Sequence, residues 1–364
     1  MTCAARHSAL AIRHPDTWDL DALSTIVRTS MGSGHHSGGR NPALPLWAAL
    51  AVGLALSYAC SLGEVPSAPG GGGLTGTAPF RLGPVDVLVF APHPDDEVIG
   101  TGGVLQRALE TGKRVRIVFA TNGDGYPQAA SALLHKAIAS LRNADYLYLA
   151  AARQREAVAA DHILGVSASN LVFLGYPDGV LAGVYADNYG DPVQSLTTGR
   201  TFTYGRVETD YHTLAHGRPA AYTRTAALAD VEELLRKSRP TQVYVTDSAD
   251  QHPDHKAIYG LVRDAIAEIG FRGILRTFIV HSGPGWPWPQ GPTRDSPFES
   301  RTIDGTTYPI GVPWPPSIRV PLTTAQSALK LRALEANHSQ MQSPIDRLYL
   351  ESFVKSEEVF WIGR

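Results

Sequence analysis

The chain predicts an α/β fold built on a mostly parallel sheet with helices on both faces. Two observations carry that expectation. Apolar runs rich in Val, Ile and Phe alternate with helical patterns along most of the chain. Those runs also lack the polar alternation of a sheet with one wet face, as suits strands covered on both sides. The composition, 43% hydrophobic and 18% charged, is globular, and 364 residues hold one large domain or two ordinary ones.

Four regions follow in order. Residues 1–41 are polar and irregular and read as disordered, with Met31 as an alternative start. Residues 42–63, "PALPLWAALAVGLALSYACSLG", carry no charge for about 22 residues, enough to span a hydrocarbon core as a helix. Arg28 and Arg40 precede this run and Glu64 follows it, so the positive-inside rule puts the C-terminal bulk outside the cytoplasm. A membrane anchor, a cleaved signal peptide and a lipoprotein signal modified at Cys60 all fit, and each makes the protein exported, membrane-anchored or secreted. Residues 64–80 form a Gly/Pro-rich linker whose glycine run lacks the Lys-Ser/Thr of a phosphate loop. The folded domain is expected over 81–364. The two cysteines, Cys3 and Cys60, lie outside it, which excludes a disulfide framework and a cysteine metal site there.

Within the domain, strands are expected at 85–91, 114–120, 170–176, 241–247 and 274–280. Helices are expected over 102–113, 144–166, 226–240 and 254–270, with Gly112, Gly165 and Gly270 as stops. A late helix, "TTAQSALKLRALEANHSQ", and a terminal strand, "EVFWIG", close a doubly wound, Rossmann-like arrangement. Residues 177–225 and 282–316 interrupt the rhythm as long Gly-, Tyr- and Pro-rich loops.

A net charge of −2 gives no electrostatic case for nucleic acid. The chemistry gathers at strand ends, where this architecture binds ligands. After the first strand, "PHPDDEVIGTGG" places His93, Asp95, Asp96 and Glu97 within five residues. A pyrophosphate there would meet carboxylates, and the glycine spacing is wrong for a dinucleotide fingerprint. Alone, the motif also reads as an acidic helix N-terminus. A second cluster after "VYVTD", with His252, Asp254 and His255, repeats the design. Together they offer a His₂–carboxylate set of His93, Asp96 and His255 with a position left for water, as in hydrolytic zinc sites.

"PHPDDEVIGTGG" with "HPDH", in order with "RQREAVAADHILGV", "FLGYPDGVL" and "LKLRALEANHSQ", resembles the PIG-L/LmbE-like family of zinc-dependent de-N-acetylases. The likeness covers about 85–281 and 317–345. It implies zinc at His93, Asp96 and His255, Asp95 as general base, and His252 protonating the leaving amine or steadying the oxyanion. It also implies that Asp254 orients a histidine. The implied substrate is an N-acetylated amino sugar in a glycan, glycolipid or conjugate. Where some relatives carry a Tyr before the second motif, this chain has Asp250. A zinc amidase or esterase on another acyl group, and a non-catalytic carbohydrate-binding relative, are the alternatives.

Weaker candidates complete the reading. Arg153 reads as a substrate contact or a solvated helix charge, and Asn122 and Asp124 as substrate contacts or a plain turn. Asp178 reads as a turn residue, and His212, His216 and His281 as structural or solvated histidines. Trp286, Trp288 and Trp314 suit either a sugar platform or packing of the Pro-rich loop.

Overall fold

A computed structural model describes residues 82–186, 190–290 and 296–363. The disordered region, apolar segment and linker expected over 1–80 lie outside the described residues, as do Cys3 and Cys60. Among the described residues, no helix is long and apolar enough to cross a membrane.

The central sheet has seven strands: β1 (Val87–Ala91), β2 (Val115–Thr121), β3 (Leu171–Tyr176), β4 (Gln242–Thr246), β5 (Ile274–Phe278), β8 (Ile318–Pro321) and β9 (Glu357–Ile362). Their order is β3-β2-β1-β4-β5-β9-β8. The first five in sequence run parallel; β9 joins β5, and β8 joins β9, antiparallel. A separate hairpin pairs β6 (Arg301–Ile303) with β7 (Thr306–Tyr308). The mostly parallel sheet expected from the apolar runs is therefore present, with β8 and the hairpin added from the segment after β5.

Strand β1 shows why its run is apolar throughout. Val87, Val89 and Ala91 belong to one core, and Leu88 and Phe90 to another on the opposite face. The first core is closed by helices α1 (Asp96–Glu110), α3 (Asn143–Ile163) and α8 (Thr324–Glu335). Helices α4 (Leu181–Ala186), α6 (Arg224–Ser238) and α7 (Pro253–Ile269) close the second. The remaining helices are α2 (Pro127–Leu134), α5 (Tyr211–His216) and α9 (Pro344–Glu351). Sequence periodicity misses α2, α4, α5 and α9 because segments of six to eight residues hold barely two turns of pattern.

The glycines of "IGTGG" have a packing role. A Cβ on Gly100 would lie 2.3 Å from the Phe278 ring, and one on Gly103 would lie 2.3 Å from Leu322. They let α1 press onto the sheet instead of cradling a phosphate. Strand order reverses between β1 and β4, so their carboxyl ends frame the crevice where a doubly wound sheet binds ligands.

Candidate metal centre

Both predicted clusters open into that crevice. His93 follows β1, and Asp96 begins α1; His255 lies in the first turn of α7, after β4. His93 Nδ1 stands 3.2 Å from Asp96 Oδ2, His255 Nε2 stands 3.3 Å from the same oxygen, and the two nitrogens are 3.3 Å apart. Ligand atoms about 2.0 Å from a tetrahedral zinc are about 3.3 Å from one another. The three atoms thus make one face of such a tetrahedron, and the donor set fits a metal ion.

The nitrogens turned away from this face meet carboxylates, the bracing that metal-bound imidazoles require. His93 Nε2 lies 3.1 Å from Asp178 Oδ1 and 3.4 Å from Asp254 Oδ2. Asp254 is itself fixed by accepting from the Gly179 and Leu181 amides at 2.7 and 2.9 Å. His255 Nδ1 lies 3.2 Å from Asp250 Oδ2. That oxygen also accepts from the Val280 and His281 amides, while Oδ1 accepts from the amide of His252 and lies 3.3 Å from His281 Nδ1.

Asp95 sits beside the triad in a backbone conformation that side chains rarely adopt, φ 127°. Its amide donates to Glu97 Oε2 at 2.9 Å, and its Oδ2 receives Arg153 Nη2 at 3.1 Å. Strain of this kind persists only where the surroundings over-determine it. Burial pushes the Asp95 carboxyl up to about 7 against the pull of the Arg153 guanidinium. Burial would likewise raise Asp96, but His255 and then His93 hold it well below the carboxylate range.

His252 caps α7: its Nδ1 accepts the Asp254 amide at 3.3 Å, which leaves Nε2 to carry the proton of the neutral ring. Its ring centroid is 4.9 Å from those of both His93 and His255. Burial, and next the His93, His255 and His281 rings, keep its pKa well below 6.5.

Several expectations need correction. Arg153 is not a solvated charge: it is buried, donating to the carbonyls of Pro94 and Gly123 as well as to Asp95. Asn122 is buried too, its amide donating to Tyr204 O and its oxygen accepting from Gln154, so it anchors the 200–208 segment. Asp124 is buried beside Asp178 and Tyr204; burial and then Asp178 push it up to about 7. Asp178 is more than a turn residue, since it reaches His93. Trp288 is buried against Phe298 and Phe353, and Trp314 packs against Trp288 and Trp361, which leaves Trp286 alone by the crevice.

His281 and Asp250 are the site residues that sequence reasoning missed. His281 ends the β5 segment as His93 ends the β1 segment, which was the available signal. Its ring lies 4.6 Å from that of His255 and 4.1 Å from Trp286, itself at φ 46°.

The charges predict a pH effect on the metal-free protein. Burial alone would depress His255, but Asp250 and Asp96 raise it from 6.5 to about 9. A raised pKa contributes stability that is complete below pH 6.5 and lost as pH climbs through about 9. The thermal midpoint of chelator-treated protein should fall across that window; a midpoint that holds or rises there contradicts the assignment.

Fold and site define a doubly wound α/β protein with a His₂–carboxylate centre at its switch point. Residues 88–266 match the family described as PIG-L, GlcNAc-PI de-N-acetylase. Similar proteins include the 1D-myo-inositol 2-acetamido-2-deoxy-α-D-glucopyranoside deacetylases of Corynebacterium glutamicum and Kineococcus radiotolerans. The first is 27% identical over 50% of this chain and 53% of its own length, and the second is 29% identical over 72% and 71%. The chain thus spans about half the length of the Corynebacterium relative. A solved structure of similar fold is the N,N'-diacetylchitobiose deacetylase from Pyrococcus horikoshii, with TM-score 0.44 and 21% identity over 76% of this chain and 83% of that one.

Proposed function

We propose that this protein is a zinc-dependent hydrolase that removes the acetyl group from an N-acetylglucosamine-type amide. The observation that carries the reading is the triad of His93 Nδ1, Asp96 Oδ2 and His255 Nε2, spaced 3.2–3.3 Å apart with Asp95 beside it. The named relatives are deacetylases of an N-acetylated amino sugar, which supports the substrate class. Zinc held there would supply Lewis acidity, bringing the pKa of water down to about 7 and polarising the acyl oxygen.

The rest falls to the chain. Asp95, beside the triad, takes the proton of the attacking water as oxygen bonds to the acyl carbon. Arg153 keeps Asp95 aimed and limits how far burial raises its pKa. The C–N bond then breaks, and the departing nitrogen receives the proton that Asp95 took from the water, while the neutral His252 keeps its Nε2 proton as a hydrogen-bond donor. With Asp250 where some relatives carry Tyr, His252 is the side-chain donor assigned to the oxyanion. Trp286, beside His281, offers an aromatic face of the sort that packs on a sugar ring. The uncharged run at 42–63 supports an exported, membrane-anchored or secreted location.

The test is acetate release by the purified full chain from N-acetylglucosaminyl-inositol and chitin oligomers, with and without chelator. Release that chelator abolishes and zinc restores is the expected result. A zinc-loaded protein that releases no acetate from either substrate overturns the N-acetylglucosamine assignment.

A further inference from the structure

Away from the crevice, the 177–225 insertion carries a second grouping of ligand-type side chains. His212 and His216 are four residues apart on α5 and so share one face, with ring centroids 4.4 Å apart. Two carboxylates three residues apart on α6 look back at them. Asp230 Oδ1 lies 2.7 Å from His212 Nδ1, and Glu233 Oε2 lies 2.9 Å from His216 Nε2.

We propose that His212, His216 and Asp230 form a second site for a divalent transition-metal ion, which fastens α5 of the insertion to α6 of the main body. One donor atom from each lies within 4.8 Å of the others. Tetrahedral zinc needs about 3.3 Å between ligand atoms, so His216, partly exposed, would swing inward while the 2.7 Å His212–Asp230 hydrogen bond opens around the ion. Asp230 is built for the task. It is 1% exposed, and its second oxygen accepts from the Tyr176 hydroxyl at 2.7 Å, which fixes the carboxylate as ligand carboxylates are usually fixed. The imidazoles are partly open to solvent, so water completes the coordination shell. Two imidazoles and a carboxylate select a zinc, cobalt or nickel ion over calcium or magnesium, which prefer all-oxygen shells.

The position gives the site a role. α5 is only six residues long, and its N-cap is Asp210, which accepts the Thr213 amide and the Thr203 hydroxyl. Tyr176 ends β3, two residues before Asp178, which reaches His93. An ion at α5 therefore braces both the insertion and the β3 end that supports the crevice, without touching a substrate.

Metal content of the full-length protein decides the matter, read by elemental analysis after equilibration with zinc and by cobalt absorption. Two equivalents are expected, with His212→Ala/His216→Ala holding one and His93→Ala/His255→Ala holding the other. In the second variant, zinc should still raise the thermal midpoint. The milder His216→Gln, which keeps a polar group at Glu233, should weaken the second equivalent by at least about tenfold and guards against a folding defect in the double variant. No zinc held by His93→Ala/His255→Ala, or no loss of zinc in His212→Ala/His216→Ala relative to the parent, overturns the proposal. Because separate variants report the two sites, failure here leaves the crevice reading untouched.

Discussion

Asp95→Asn should lower kcat by about 10²–10⁴-fold, the usual share of a positioned base, while the protein keeps zinc at His93, Asp96 and His255. The substitution is nearly isosteric and removes only the proton-accepting charge. It also leaves Arg153 buried with its carbonyl partners Pro94 and Gly123 but without its contacting carboxylate, so some stability is lost as well. Zinc content measured beside kcat separates the two effects. Retained zinc with lost turnover identifies the base; unaffected turnover removes Asp95 from that role.

Asp250→Asn tests the bracing behind the metal face. Removing the partner of a metal-bound histidine usually costs about 10–100-fold in metal affinity. Asp250 serves His255 and His281 at once, and both histidines hold its pKa well below the usual range against burial. The variant should therefore bind zinc about 10–100-fold more weakly in a competition titration. It should also show a smaller fall in metal-free stability between pH 6.5 and 9, because Asp250 is the strongest of the charges that raise His255, with Asp96 remaining. Unchanged affinity and an unchanged pH profile would show that the Asp250–His255 contact carries no energy.

The architecture was legible because burial on both sheet faces writes itself into composition. Leu88 and Phe90 serve one core while Val87, Val89 and Ala91 serve the other, so β1 could contain no polar residue. The edge additions were not legible in the same way. β8 is half exposed, and β6 and β7 are three-residue strands in a Pro-rich segment, too short to carry a period. The ligand-type residues stood out because each motif packs its polar groups into a few positions at a strand end. The partners of Arg153 and Asn122 were hidden for the opposite reason: a single polar residue on a helix or in a turn looks the same whether it faces water or a buried polar group.

The sequence by itself determined the five parallel strands and β9, the five long helices and the two motifs that meet at the switch point, since hydrophobic period and strand-end chemistry are local properties. Only the tertiary structure decided which charges face which: Arg153 on Asp95, Asp178 and Asp254 on His93, Asp250 on His255 and His281, and Asp230 on His212. Those pairings join residues up to 161 positions apart. Their energies depend on separation and on exclusion of water, and neither quantity exists until the chain has closed around them.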